Sequence, residues 1–340
     1  MATLPPCMAY KKRVQGGEAS PNPAIVYLCQ KEELPQARMT ARIILNPYSG
    51  RYTGRRRRSE AQAALDTVGF AYELVSTARP GHARELARDA ALAGCSPVIA
   101  AGGDGTVSEV VNGLADAAGK DSGPLGPIGI LPVGTANDIV DTLGIPRDLA
   151  AAAQVLAHGR TRLIDLGQVN GRLFVNNSAI GLEPFVTLIQ QRMQRIQGPP
   201  RYLLAALRGI AARPRWNMRL EWDGGSYDGP VTLVAIGNGP RSGGLFYMAP
   251  HADMADGRLT FVYGYRSSRL QLLRLLPRTL RPGAGSYVEM NGISEVHASW
   301  LRVRIDPPAP AHADGEVFAP AIQELDYRIW PARLRVLAPL

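Results

Sequence analysis

Residues Pro97-Val98-Ile99-Ala100-Ala101-Gly102-Gly103-Asp104-Gly105-Thr106-Val107-Ser108-Glu109 decide the architecture. A short apolar run, suited to a buried strand, passes through a glycine-rich turn. It enters a segment whose apolar positions 107, 110, 111 and 114 keep helical spacing. Glycine lets the chain turn tightly and brings backbone N–H groups against a ligand. Thr106 and Glu109 are spaced as a T-x-x-E capping box. The start of such a helix carries partial positive charge and suits phosphate. Alone, the glycines are equally well an ordinary turn, with Thr106 only its cap.

The same punctuation recurs on either side. Upstream, the apolar run 42–45 ends at Asn46, Pro47, Ser49 and Gly50. Downstream, the run 128–131 ends at Pro132, Gly134, Thr135, Asn137 and Asp138. Between these runs the pattern predicts helices over 55–68 and 81–93, a strand over 71–75 and a helix from about residue 136. Strands alternating with helices predict a parallel sheet covered on both faces. All three loops then share its carboxyl edge, where such sheets bind ligands. GxxxxGK[ST] is absent, which excludes a P-loop enzyme. No GxGxxG follows the first strand, which argues against a standard dinucleotide fold.

Past residue 160 the texture changes. Strand-like runs at 163–169, 173–179, 218–222, 231–236, 259–263, 287–290 and 301–305 are separated by turns such as Asn170-Gly171 and Asp256-Gly257. They predict a largely antiparallel second domain over 161–317, a β-sandwich or open barrel. Basic helical insertions interrupt it near 184–212 and 267–280. Residues 1–40 read as a flexible leader, and 41–160 as the α/β domain.

Composition sets further bounds. The 340 residues are 46% hydrophobic and 20% charged, which excludes wholesale disorder. No apolar stretch reaches the roughly 18 residues of a membrane span. Cys7, Cys29 and Cys95 lack CxxC spacing, so neither a disulfide framework nor a structural zinc is expected and a cytoplasmic setting is the default. The net charge is +9, and only 4 of the 38 cations are Lys. Residues 184–220 contain no acid but include Arg192, Arg195, Arg201, Arg208, Arg213, Arg215 and Arg219, and a second cluster spans Arg55 to Arg58. Such patches suit phosphate-bearing partners or are simply solvated helix faces. Interleaved aromatics are missing from the Arg-rich window, so no nucleic-acid partner is expected.

Together the motifs resemble the diacylglycerol kinase catalytic domain family, which includes soluble bacterial diacylglycerol kinases, YegS-like lipid kinases, and sphingosine and ceramide kinases. The resemblance lies in Asn46-Pro47-Tyr48-Ser49-Gly50, in Gly102 to Thr106 with Glu109 and Asn112-Gly113, and in Leu131 to Asp138. Asp253, Asp256, Gly257 and the triplet Asp314-Gly315-Glu316 follow in order. Ser108 departs from the Asn common there. The resemblance implies an N-terminal three-layer, NAD kinase-like α/β domain that binds ATP and a C-terminal antiparallel β-sandwich. The chain's last segment, about 318–340, would return to the first domain. It assigns nucleotide contacts to Asn46, Pro47, Tyr48, Ser49, Gly50, Thr77, Thr135 and the run Gly102, Gly103, Asp104, Gly105, Thr106, Val107, Ser108, Glu109. Glu316 matches the proton acceptor. Asp253 and Asp256, with the Arg258 carbonyl, match a structural Mg²⁺ site.

From the residues themselves, Asp104 either holds a phosphate-bound Mg²⁺ or shapes its loop as an Asx-turn. Glu316 is either the base for a lipid hydroxyl or a turn acid. Asp253 and Asp256 share a hard cation or form a solvated turn. Phe185, Leu188, Ile189, Met193 and Ile196 fall on one helical face flanked by Arg192 and Arg195; Tyr202, Leu203, Leu207 and Ile210 follow with Arg201 and Arg208 on a common face, and the second insertion repeats the pattern with Leu270, Leu273, Leu276 and Arg269, Arg274, Arg278. Those faces either lie on an anionic membrane or belong to the core. With Arg55 and Arg56 they form the expected membrane-docking surface. The expectation is an ATP- and Mg²⁺-dependent lipid kinase, cytoplasmic and peripherally membrane-bound. An NAD kinase-like small-molecule kinase and a non-catalytic lipid- or nucleotide-binding protein are the rivals. A homodimer is compatible with the sequence.

Overall fold

Parallel strands come first among the described residues. In the computed structural model, which describes residues 40–119, 122–193, 199–212 and 214–340, the element order opens with β1 (Ala41–Leu45), α1 (Ser49–Thr67), β2 (Tyr72–Ser76), α2 (His82–Leu92), β3 (Val98–Gly102), α3 (Asp104–Ala118) and β4 (Leu125–Pro132). The side chains at 51–56, 199, 200 and 202 lie outside the description. Strand order is β4-β3-β1-β2, every pairing parallel. The chain leaves β1 toward β2, then crosses back to β3 on the other side. The switch point therefore falls between β1 and β3, where an open α/β sheet leaves a crevice at its carboxyl edge. β3 is buried along its whole length, as its unbroken apolar run requires. α2 and α3 approach closely because a Cβ on Gly113 would overlap the Arg84 carbonyl. The helix expected from residue 136 is divided into α4 (Asp138–Thr142) and α5 (Leu149–His158), and α1 begins six residues before the expected start at 55.

The second half is antiparallel. It comprises β5 (Arg160–Val169), β6 (Arg172–Phe174), β7 (Asn177–Gly181), α6 (Leu182–Arg192), α7 (Pro199–Ala212), β8 (Trp216–Trp222), β9 (Gly225–Val231), β10 (Leu233–Gly237) and the hairpin of β11 (Arg241–Ser242) with β12 (Phe246–Tyr247). Then follow β13 (Leu259–Gly264), α8 (Arg269–Leu275), β14 (Ile293–Ala298), β15 (Trp300–Ala313) and β16 (Glu316–Ala338). Residues 287–290, expected as a strand, instead form a 3₁₀ turn at Tyr287–Glu289, with Tyr287 fully buried. Its ring fills the helical core and its hydroxyl donates to the Met248 carbonyl, so tertiary packing overrides the β-propensity of Tyr and Val.

One strand joins the halves. β16 pairs antiparallel with β15 and β5 and parallel with β4, giving a continuous 14-stranded sheet. Three apolar clusters fill the molecule: one around the parallel strands, one between the antiparallel layers with Phe174, Phe261 and Tyr327 fully buried, and one beneath α6, α7 and α8. Among the described residues no helix is long and apolar enough to cross a membrane.

Candidate active site

The three glycine-containing loops meet at the switch point. Asn46 Nδ2 donates to Thr106 Oγ1 at 3.1 Å, tying the first loop to the start of α3, while its Oδ1 takes the Tyr48 amide at 3.0 Å. The second and third loops pack backbone on backbone. A Cβ on Gly134 would overlap Gly103 Cα, and one on Gly102 would overlap the Thr106 side chain. Thr77, buried, joins through its amide to the Leu45 carbonyl. Gly105 and Thr135 stay exposed at the rim. Val107 is buried, so only its backbone faces the edge.

The Thr106–Glu109 capping box does not form. α3 already begins at Asp104, so Thr106 lies inside the helix. Glu109 instead crosses to the next helix and accepts the amides of Gly81 and Ala83, each at 3.0 Å. It thereby supplies the N-terminal cap that α2 lacks from its own residues, and braces the loop that carries Thr77. Asn112 docks α3 onto β6 by exchanging bonds with the Leu173 amide and carbonyl.

A pair of carboxylates lies beneath these loops. Asp104 Oδ1 accepts the Ile139 amide at 3.1 Å, and burial pushes its carboxyl above the ordinary value despite the amides around it. Asp138 is pushed up to about 7, first by burial and then by the Asp104 charge beside it. Two hard, crowded carboxylates are the electrostatic complement of a divalent cation. Among the described residues no three acidic, His or Cys side chains cluster as a metal set. A Mg²⁺ held here would therefore take phosphate and water oxygens for the rest of its shell. Asp141 is held below the usual carboxylate range by Arg147, with Arg241 adding to it.

The triplet near the end of β15 forms a hairpin turn. Asp314 and Gly315 both have positive φ, as a type I′ turn requires, and Glu316 opens β16. Asp314 is buried and accepts the amides of Val175, Asn176 and Asn177 as well as the Ser108 hydroxyl. Burial nevertheless raises its carboxyl above the ordinary value. Ser108, the departure from the family pattern, thus fixes this turn to α3. Glu316 is exposed and faces Arg172 Nη2 at 3.1 Å.

Asp253 and Asp256 lie in the turn that precedes β13. Both are exposed, and each accepts the amide two residues on, at 3.0 and 2.8 Å. Buried Asp165 holds the same turn through the Gly257 amide. Their remaining oxygens and the Arg258 carbonyl are hard donors of the kind Mg²⁺ takes.

The expected docking cations do not act as one set. Arg201 donates to the Gln190 carbonyl at 2.9 and 2.6 Å, closing the end of α6 rather than facing solvent. Arg192 is exposed, Arg195 lies outside the described residues, and Arg55 and Arg56 sit on α1 with side chains outside the description. Their neighbour Arg57 turns inward to the Pro132 carbonyl at 2.9 Å. Ile196 is also outside the described residues. Met193 and Ile210 are core residues, and Phe185 and Ile189 pack against that core. The apolar surface that remains outward is Leu203 and Leu207 on α7 and Leu270 and Leu273 on α8, with Arg208 and Arg274 beside them.

Beneath those helices lies a cavity of about 90 Å³, open to solvent on one side, walled by Leu182, Val186, Ala206, Ile210, Leu272 and Leu275. Its polar lining residues include Glu183, 12% exposed, which takes the Ser242 hydroxyl at 2.6 Å and faces His312 Nε2 at 3.3 Å. Burial alone would raise the Glu183 carboxyl, but the His312 and Ser242 bonds outweigh it and hold it below the ordinary value. Phe246 from the β11–β12 hairpin also lines the cavity. The same hairpin reaches the carboxylates: Arg241 Nη1 lies 2.5 Å from Asp141, and the Gly244 amide donates to Asp138 at 2.9 Å. Sequence reasoning assigned no role to Asp138, Asp141, Glu183, Arg241 or His312. Asp138 alone carried a signal, as the last residue of the third loop motif.

A cluster of glycine-containing loops at the switch point and a two-part α/β–β-sandwich body are the features that the likeness to known proteins turns into a class, that of a kinase. Residues 40–169 match the model of the diacylglycerol kinase catalytic domain, and 177–338 match the YegS C-terminal NAD kinase beta sandwich-like domain. A diacylglycerol kinase of Bacillus subtilis (strain 168) is 31% identical over 278 residues, covering 81% of this chain and 89% of that protein. A Staphylococcus aureus (strain JH9) diacylglycerol kinase is 31% identical over 236 residues, with coverage of 69% and 73%. The crystal structure of a diacylglycerol kinase from Bacillus anthracis str. Sterne shares the fold, with a TM-score of 0.65 at 21% identity over 88% of this chain and 97% of that one. The chain belongs to the diacylglycerol kinase catalytic domain family and is a lipid kinase.

Proposed function

We propose that the protein transfers the γ-phosphate of ATP to a hydroxyl of a diacylglycerol-like or sphingoid lipid at an anionic membrane surface. The observation that carries this is the β11–β12 hairpin, which lines an apolar cavity with Phe246 and bonds Asp138 through Gly244. A lipid chain in that cavity would have its polar end beside the carboxylates and the loop cluster.

ATP phosphates would lie against the amides of Gly103 to Thr106, where donors are fixed by the turn and the helix start adds positive charge. Asn46, Thr77 and Thr135 would hold the rest of the nucleotide. Asp104 and Asp138 would hold Mg²⁺, which neutralises developing charge on the phosphates when bound. Glu316 would accept the proton of the attacking hydroxyl, with Arg172 holding its carboxylate in place. Asp253, Asp256 and the Arg258 carbonyl would take a second, structural cation. Leu203, Leu207, Leu270 and Leu273, with Arg192, Arg208 and Arg274, would rest on the membrane.

The test is incubation of the protein with labelled ATP, Mg²⁺ and a total lipid extract, followed by mass identification of the labelled product. A phosphorylated hydroxyl lipid is expected. Label transferred only to a water-soluble acceptor, or to none, would overturn the proposal.

A further inference from the structure

The apolar cavity ends on charge. Burying a carboxylate against a histidine costs more than an apolar filling of the same volume, so such a pair is poor evidence of a stability role. His312 is 2% exposed and its Nδ1 has no hydrogen-bond partner, while Glu183 spends one oxygen on both Ser242 and His312. Its other oxygen has no hydrogen-bond partner among the described residues, and the side chain lines the cavity. An acceptor has therefore been fixed through one oxygen by two donors, on a side chain that lines an apolar space.

That end is also the end nearest the chemistry. Ser242 belongs to the hairpin whose Gly244 bonds Asp138. His312 lies two residues before Asp314 on β15, and the turn at 314–315 presents Glu316. A chain filling the cavity would bring its headgroup to Glu183, which the β11–β12 hairpin ties through Ser242 and Gly244 to Asp138.

We propose that Glu183 is a specificity-determining residue, a fixed acceptor that selects lipids bearing a second hydrogen-bond donor beside the hydroxyl that is phosphorylated. This rests on the lipid kinase function proposed above and narrows its substrate. The shared chemistry is an O–H or N–H⁺ group next to the reacting hydroxyl on a lipid with one chain in the cavity. A monoacylglycerol supplies the first and a sphingoid base the second; a diacylglycerol supplies neither. A hydrogen bond to a charged acceptor is worth roughly ten- to a hundredfold in discrimination.

Wild-type protein and Glu183→Gln are compared on three lipids in mixed micelles with ATP: 1-monoacylglycerol, a sphingoid base and 1,2-diacylglycerol. In the variant the carboxamide oxygen keeps the Ser242 and His312 bonds, so the free position becomes an N–H donor and the acceptor is lost. Wild type is expected to favour one or both single-chain lipids over diacylglycerol by at least about tenfold in kcat/KM. Glu183→Gln is expected to collapse that ratio while KM for ATP and Tm stay near wild type. Which of the two lipids loses more identifies the donor as ammonium or hydroxyl. An unchanged ratio in the variant, or a parallel fall on all three lipids, overturns the selectivity role alone. Wild type that phosphorylates none of the three overturns the lipid kinase function itself, and the selectivity role with it. Ser242→Ala serves as a second variant: loosening the anchored oxygen should lower the ratio partway.

Discussion

The sheet edge and the helical cavity are built by opposite means. At the edge, backbone packs on backbone, and side chains such as Asn46 and Glu109 are spent holding one loop to the next. In the cavity, side chains are the surface, and Leu182, Val186, Ala206 and Leu272 come from three separate helices. A site made of backbone tolerates almost no added volume where two chains touch, because neither main chain can turn aside. A site made of side chains adjusts by rotamer and loses function in steps.

That contrast is broken or sharpened by five measurements. The largest effect is expected at the turn between the regions: Glu316→Gln should lower kcat by roughly 10² to 10⁴ with ATP affinity nearly unchanged. A variant that keeps most of its turnover shows that Glu316 is not the proton acceptor. Next comes Gly134→Ala, whose methyl would overlap Gly103 Cα. Titration calorimetry should find ATP binding weakened by about a hundredfold or more, since the loops must part to admit a Cβ. Normal affinity would mean the loops can yield. Ala206→Phe, in the buried wall of the cavity, should raise KM for long-chain lipids by about tenfold and spare both ATP binding and short-chain substrates. Equal losses on short and long chains would remove the cavity from the lipid path.

The fourth concerns Asp138. Its carboxyl, pushed up to about 7, binds a proton in the folded state that it would release from about pH 4 in the unfolded chain. Folding therefore takes up a proton between those values, and the group's contribution to stability falls as pH rises from about 4 to about 7. Asp138→Asn should flatten that part of the metal-free Tm profile; an unchanged slope would show that the fall has another source. The smallest effect belongs to the surface. Arg208→Glu with Arg274→Glu should weaken binding to vesicles containing phosphatidylglycerol, each Arg contributing about 1 kcal/mol. Wild-type binding should itself weaken with salt, since exposed charges are screened within about 10 Å at 0.1 M. Salt-insensitive binding would exclude electrostatic docking.

The same contrast explains what was legible in the sequence. The placing of the edge loops could be read because each is contiguous: Gly102 to Thr106 carries its own turn and helix start within a few residues. Glu109 misled for the same reason, since local spacing offered a cap on α3 while the real partner, α2, lies 26 to 28 residues away. Asp138 is the reverse case, visible in a motif but without meaning until Asp104 and Gly244 are seen beside it. Glu183 and His312 had no signal. They stand 129 positions apart, and neither spacing nor composition joins them. Helix faces failed differently. Periodicity found the apolar stripe of α6 but could not say whether core or lipid would cover it; Met193 went to the core and Phe185 packs against it.

β16 has a consequence for how the molecule comes into being. Strand β4 pairs with β3 on one side and with residues 334–336 of β16 on the other. During synthesis the α/β half therefore stands with an open flank while the whole antiparallel half is made, about two hundred residues of chain. Contacts of such long sequence separation form slowly. An open strand edge is also a template for unwanted pairing with another chain. The last strand is thus a late seal, and a nascent or nicked chain lacking it would expose β4 just as the loops at its carboxyl end were ready to be used.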